Sequence, residues 1–155
     1  VLARLRALKD RTPILEAIGL QMVSLGKRSF NDASLRPAPW APRKSGGAHS
    51  LLKKSGTLWR SIRIVALTND GVRIGSDRKY AAIHQLGGRT PAHVIRAKNK
   101  KALRTPYGPR KSVRHPGSLI PPRPYLPFFP SGQPTPLADG RIRSIVAAKL
   151  GVGLA

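Results

Sequence analysis

Prolines decide where this chain can be regular. Fifteen of them interrupt it, and most fall in two clusters, at 37–42 and 116–136. Proline lacks an amide donor and pushes the residue before it out of the helical region. Arg36-Pro-Ala-Pro-Trp-Ala-Pro-Arg43 therefore reads as part of an extended loop over 35–50, and 118–137 as a proline-rich arm. Regular structure is left to the stretches on either side.

Before the first cluster, Ile14, Ile18, Met22 and Leu25 recur at helical spacing, reinforced by Leu15. Thr12-Pro13 reads as the start, with the threonine oxygen as cap and proline in the first turn. Glu16 near the start and Lys27, Arg28 and Arg36 toward the end suit the helix dipole. The spacing predicts a helix from Thr12 to about Ala33. Upstream, Leu2, Leu5 and Leu8 fit either a short amphipathic helix or a frayed leader, without the apolar core and cleavage site of a signal peptide.

Between the clusters, Leu51, Leu58 and Trp59 give a shorter helical signal, broken at Ser55-Gly56-Thr57, where Thr57 is placed to cap a new turn. Ile62–Leu67 and Val72–Gly75 read as strands joined by the turn residues Thr68-Asn-Asp-Gly71. Tyr80, Ile83 and Leu86 mark one face of a short helix, with Asp77 as its cap and Gly87-Gly88 as its stop. Val94–Ala97 reads as another short strand. After the second cluster, Ile142, Ile145, Val146 and Leu150 predict a helix over Ala138–Leu150, ended at Gly151–Gly153. The whole, 1–155, is expected to be a single α+β domain, with N-terminal and C-terminal helices packed on a small antiparallel sheet around Ile62–Ile74.

Charge decides what such a domain must meet. Twenty-nine lysines and arginines face six acids, for a net charge of +23. Most of the acids sit at turns or helix starts and leave little to neutralise the cations. A domain so unbalanced repels itself unless it faces a polyanion or acidic protein surfaces. The densest run is a basic loop, 98–117, which reads as mobile or as a long hairpin turning at Tyr107-Gly108. It carries Lys98, Lys100, Lys101, Arg104, Arg110, Lys111 and Arg114 and no acid. Phosphate neutralisation needs no fixed spacing, so these seven are candidate contacts to DNA or, equally, to an acidic partner protein. A solvated surface loop is the plain alternative.

The proline-rich arm carries the other candidates. Polyproline geometry makes no internal hydrogen bonds and presents its side chains outward. Arg123, Tyr125, Leu126, Phe128 and Phe129 are thus expected to pack on the domain or grip a neighbouring subunit. Trp40 in the other proline cluster is read either as the anchor of its loop, placed at such a contact, or as a core residue.

Chemistry at a catalytic centre is not expected. The chain has no cysteine, so disulfides and thiolate metal sites are excluded, in keeping with a reducing cytoplasm. His49, His84, His93 and His115 are scattered, with no metal-ligand spacing. No pair of acids suggests itself as proton donor and acceptor, and there is no nucleophile elbow or P-loop. The expectation is no enzyme, no metal and no cofactor. No apolar run approaches the ~18–20 residues that span a bilayer, so no membrane partner is expected.

Four groups of residues occur in a telling order. Pro39-Trp40 comes first, then Leu51 with Ser55-Gly56-Thr57-Leu58 and Ser61-Ile62. Val72-Arg-Ile-Gly75 with Tyr80-Ala81 and His84-Gln85-Leu86-Gly87-Gly88 follows, and Ile120-Pro-Pro-Arg-Pro-Tyr-Leu126 is last. Over roughly 30–126 this ordered set resembles the phage virion morphogenesis family, the tail-completion and head–tail joining proteins of Mu-like phages. The basic insert between Val94 and Ser118 carries none of the family's signal. The resemblance implies a structural virion protein of the head–tail connector, or neck, most simply the tail terminator or tail completion protein. It implies a ring of six copies that meets the tail tube protein and the neck or stopper proteins and surrounds the DNA channel, assembled in the host cytoplasm and carried in the virion at the top of the tail. A neck stopper or adaptor is the neighbouring alternative. A free nucleic-acid-binding protein of ribosomal or nucleoid type is the alternative from composition alone.

Overall fold

The computed structural model describes residues 9–43, 50–98 and 101–151. Its organising element is helix α1 (Thr12–Arg28), which buries Ile14, Gly19, Met22, Leu25 and Gly26. One side of α1 lies on the hairpin of β1 (Arg63–Leu67) and β2 (Val72–Gly75), and another meets the C-terminal helix α4 (Pro136–Leu150). The hairpin pairs Ile64 with Ile74 and Leu67 with Val72, with a register shift between Ile64 and Ala66. Gly19 explains the close approach. A Cβ there would stand 2.7 Å from Val72 Cγ2 and 2.8 Å from Ile64 Cδ1. The missing side chain lets the helix rest directly on the apolar face of the hairpin. The expected α+β arrangement, with a helix at each end packed on strands, is what the chain forms.

The ends of α1 differ from expectation. The Asp10 carboxylate, not Thr12, accepts the free Thr12 amide, at 3.0 Å, and Arg11 occupies the cap position without a side-chain bond. Glu16 lies beyond the first turn. The helix stops at Arg28 rather than near Ala33. The buried Ser29 hydroxyl lies 2.9 Å from the Gly26 carbonyl and 2.8 Å from that of Tyr125. Asp32 then accepts from the Ser34 amide and hydroxyl and opens a short 3-10 turn, Ala33–Leu35. Short polar side chains that bond locally compete with helix continuation in this way. At the other end, the β1–β2 turn is tied back to the start of α1. Asn69 Oδ1 accepts the Arg11 amide at 2.6 Å, and Arg11 pairs with Asp70 at 2.9 Å.

Helix α2 (Thr57–Ser61) is capped by Gly56 in the left-handed region, not by the Thr57 side chain, and buries Leu58. Helix α3 (Ala81–Leu86) is capped by Tyr80 without a side-chain bond. Asp77 does not cap it; its carboxylate pairs instead with Arg63 and Arg78, at 3.5 and 3.2 Å. The expected apolar face is also not the buried one. Ala81 is buried, whereas Tyr80 and Leu86 are 41% and 61% exposed. Helix α4 starts two residues before the predicted Ala138, with the Thr135 hydroxyl oxygen accepting from the Ala138 amide at 3.4 Å.

Two clusters form the core. One gathers Phe30, Trp40, Leu58, Ile62, Ala81 and Tyr125. The other joins Met22 and Leu25 of α1 to Ala138 of α4, with Ile74 and Phe128 packed against it. The possible leader helix at 1–8 and the stretches 44–49 and 152–155 lie outside the described residues.

Candidate functional site

The proline-rich segment is a strap held along its length. Strand β3 (Gly88–Arg89) pairs with β8 (Leu119–Ile120), which starts it. The Arg123 amide donates to the His84 carbonyl at 2.7 Å. Gln85 Oε1 accepts from both the Tyr125 and Leu126 amides, at 2.9 and 3.0 Å. The Tyr125 hydroxyl donates to the Ala81 carbonyl at 3.3 Å, and its burial pushes the phenol up to about 12. Helix α3 is thus the bracket on which the strap hangs. Gly87 permits it: a Cβ would meet Pro122 at 2.9 Å, and φ there is +74°. Polyproline backbone has no partners of its own, so these side-chain acceptors satisfy amides that burial would otherwise leave unpaired.

The structure places the candidate strap residues as follows. Trp40 and Tyr125 lie in this chain's own core, both against Phe30, at ring distances of 5.6 and 5.5 Å. The Trp40 indole donates to the Pro124 carbonyl at 2.7 Å. The Arg123 guanidinium donates to the carbonyls of Ala41 and Pro42, at 2.9 and 3.0 Å. Leu126 and Phe128 are half-buried, and Phe129 is exposed. Core packing is therefore the arrangement of Trp40 and Tyr125, and Phe129 offers the most surface to a neighbour. In the sequence Gln85 appears only as a member of the His84–Gly88 motif, and its pairing with residues forty positions away leaves no local pattern.

His84 sits behind the strap. Its Nδ1 is buried and meets no hydrogen-bond partner among the described residues. Burial, and then the Arg123 charge, hold its pKa below the ordinary value. The folded state therefore resists a proton that the unfolded chain accepts. The neutral ring's contribution to stability is fully present above the unfolded value, near 6.5, and is lost as pH falls through it toward the depressed native value. The thermal midpoint should fall between about pH 7.5 and pH 5, and His84→Gln should flatten that decline. An equally steep decline in the variant would assign it to other groups.

The basic segment is a long hairpin built in two tiers. Strand β4 (His93–Arg96) pairs with β7 (Ser112–His115): His93 faces His115, Val94 faces Arg114, and Ile95 faces Val113. Farther out, β5 (Leu103–Thr105) pairs with β6 (Gly108–Arg110) around a turn at Pro106-Tyr107. The turn is closed by Thr105, whose hydroxyl donates to the Gly108 carbonyl at 2.7 Å. At the root, Thr90 and Ser118 exchange hydrogen bonds: the Thr90 amide reaches the Ser118 carbonyl at 2.9 Å, and the Ser118 amide reaches Thr90 Oγ1 at 2.8 Å. His93 and His115 stack at 5.0 Å just beyond. Of the two sequence readings, loop or hairpin turning at Tyr107-Gly108, the hairpin is the one formed.

Lys98, Lys101, Arg104, Arg110, Lys111 and Arg114 are all exposed on this arm, and Lys100 lies outside the described residues. Arg96, which belongs with them, and the turn residue Tyr107, 86% exposed, were not among the sequence candidates. Arg96 falls in an expected strand, and Tyr107 reads from sequence only as a turn marker. Among the described residues none of the arm's cations has an ion pair: the salt bridges use Asp70, Asp77 and Asp139, all outside the arm. No acid occurs between Asp77 and Asp139.

Among the described residues no cluster of three or more histidines and acids could hold a metal ion, and no helix is long and apolar enough to cross a membrane. A model of the phage virion morphogenesis family matches residues 1–150. No curated protein and no solved structure matches the chain.

Proposed function

This chain belongs to the phage virion morphogenesis family, and from that premise we propose that it is the tail terminator or tail completion protein of the head–tail connector. Family membership makes it a protein of phage virion assembly. The finer reading is a ring, of six copies, that caps the tail tube, meets the neck or stopper proteins and surrounds the DNA channel. Its work is structural and not catalytic. It assembles in the host cytoplasm and ends in the virion at the neck.

The observation that carries this reading is the division of the chain into a locked body and a projecting cationic arm. The strap is fixed to the body by Gln85, Trp40 and Ser29. The arm's strands pair with each other and leave every residue of β4 exposed. An isolated two-stranded hairpin is marginal in water, so such an arm suits a place among neighbours. In this reading Trp40, Arg123 and Tyr125 hold the strap in position, and Phe129, with the partly covered Leu126 and Phe128, meets the adjacent subunit.

Particles made without this protein test the reading. Unjoined heads and tails, or tails of uncontrolled length, are the expected result, together with a closed ring when the purified protein is weighed by native mass spectrometry. Normal particles in its absence would overturn it. A strictly monomeric protein that binds duplex DNA in a salt-dependent way, with particles unaffected, would favour the free nucleic-acid-binding reading that the +23 charge supports.

A further inference from the structure

We propose that the hairpin arm is a ribbon that lies against double-stranded DNA, with Arg96, Arg110 and Arg114 on phosphates and Tyr107 against the backbone at the tip. This rests on the connector reading and names the partner of its basic arm, which that reading leaves as either DNA or acidic protein.

The first argument is how the arm sorts its side chains. Directly paired residues of an antiparallel ladder share a face, and faces alternate along each strand. Val94 pairs with Arg114 and Arg96 with Ser112, so both arginines lie on one face. His93, Ile95, Val113 and His115 lie on the other. Toward the tip, a cleft of about 310 Å³ has a mostly apolar wall that includes Pro106 and Val113, with Thr105, Tyr107, Arg110, Ser112 and Arg114 around it. The two guanidinium groups and the hydroxyls at its edge are donors that suit a sugar–phosphate backbone, with the Tyr107 ring beside them. Arginine is suited to phosphate because its planar fork donates two parallel bonds.

The second argument is shape. Two strands lie about 4.8 Å apart, and the major groove, about 12 Å wide, admits a two-stranded ribbon. The third argument bears on the rival partner. Protein interfaces have a core depleted in charge, and lysine, unlike arginine, is depleted across them. The described arm carries Lys98, Lys101 and Lys111 beside four arginines, and the apolar side chains of β4, Val94 and Ile95, sit near its root rather than its tip. It has no acid. The contact proposed is to the phosphate backbone, which carries no sequence information.

The test is binding of a short random-sequence DNA duplex by the full-length protein across a salt series. The triple variant Arg96→Ala, Arg110→Ala, Arg114→Ala should lower the slope of log affinity against log salt by about 2–3, since each lost phosphate contact removes ~0.9. The matching triple Arg→Lys variant keeps the charges and should hold the slope, which separates lost contacts from lost folding. Tyr107→Ala should weaken binding with the slope unchanged. The proposal is overturned if the alanine triple binds duplex with the wild-type slope, or if polyglutamate binds the arm as tightly as DNA does. Ring formation, weighed on the same samples, is a separate readout. A ring with an arm indifferent to DNA sinks only the DNA assignment, and arm-dependent binding by a protein that never forms a ring sinks only the connector reading.

Discussion

Trp40→Ala is expected to destabilise the protein by about 3–5 kcal/mol, the range for removing a large buried aromatic. The indole is 9% exposed and meets the ring of Phe30 edge-on at 5.6 Å and 85°. Its N–H donates to the Pro124 carbonyl, and the Arg36 guanidinium covers it at 3.9 Å from the ring centre. Alanine would leave a cavity between the 35–43 loop and the strap, and it would strip a partner from a buried carbonyl. Domains of this size have about 5–15 kcal/mol in total, so the loss is a large share. Urea denaturation measures it as a lower midpoint with an unchanged slope. A loss below about 1 kcal/mol would mean that the ring does not work as core, and would return it to the role of a contact between subunits.

Gln85→Leu is expected to cost about 2 kcal/mol or more, because one oxygen serves two amides and each buried unpaired amide costs about 1–3 kcal/mol. Leucine is close in size but accepts nothing. Both the Tyr125 and Leu126 amides would lose their acceptor at once. Gln85→Glu keeps an acceptor oxygen at the same place and should retain most of the stability. The local readout is amide hydrogen exchange: Tyr125 and Leu126 should lose protection in the leucine variant and keep it in the glutamate variant. Unchanged protection in the leucine variant would show that the strap is held by other contacts, and α3 would no longer be its bracket.

The sequence made the body legible where periodicity is long. Ile14, Ile18, Met22 and Leu25 mark α1 because the pattern repeats over about three turns, and Thr68-Asn-Asp-Gly71 marks the β1–β2 turn because its chemistry is local. The misreadings fall where a distant partner decides. Ser29 ends α1 with the help of a carbonyl ninety-six positions away. In α3 only six residues are helical, too few for an apolar spacing to say which face is buried. The buried side is chosen by Ala81 and by Gln85 reaching the strap. Asp77 looked like a cap because carboxylates favour helix starts, but two arginines held it elsewhere. For the basic arm the cations were plain, while its pairing was not. Few of its residues are β-branched, and the register is set between residues as far apart as His93 and His115.

The clasp between Thr90 and Ser118 has a consequence for how such chains can diversify. It brings the two feet of the ribbon side by side, so everything between them is closed off from the body like an appendage on a fixed socket. Closing a longer or shorter appendage changes the free energy by only about 0.6 kcal/mol per doubling of length. The ribbon can therefore be trimmed, extended or exchanged for another without disturbing α1, the strap or the terminal helix. That makes this socket the place where one scaffold can be refitted.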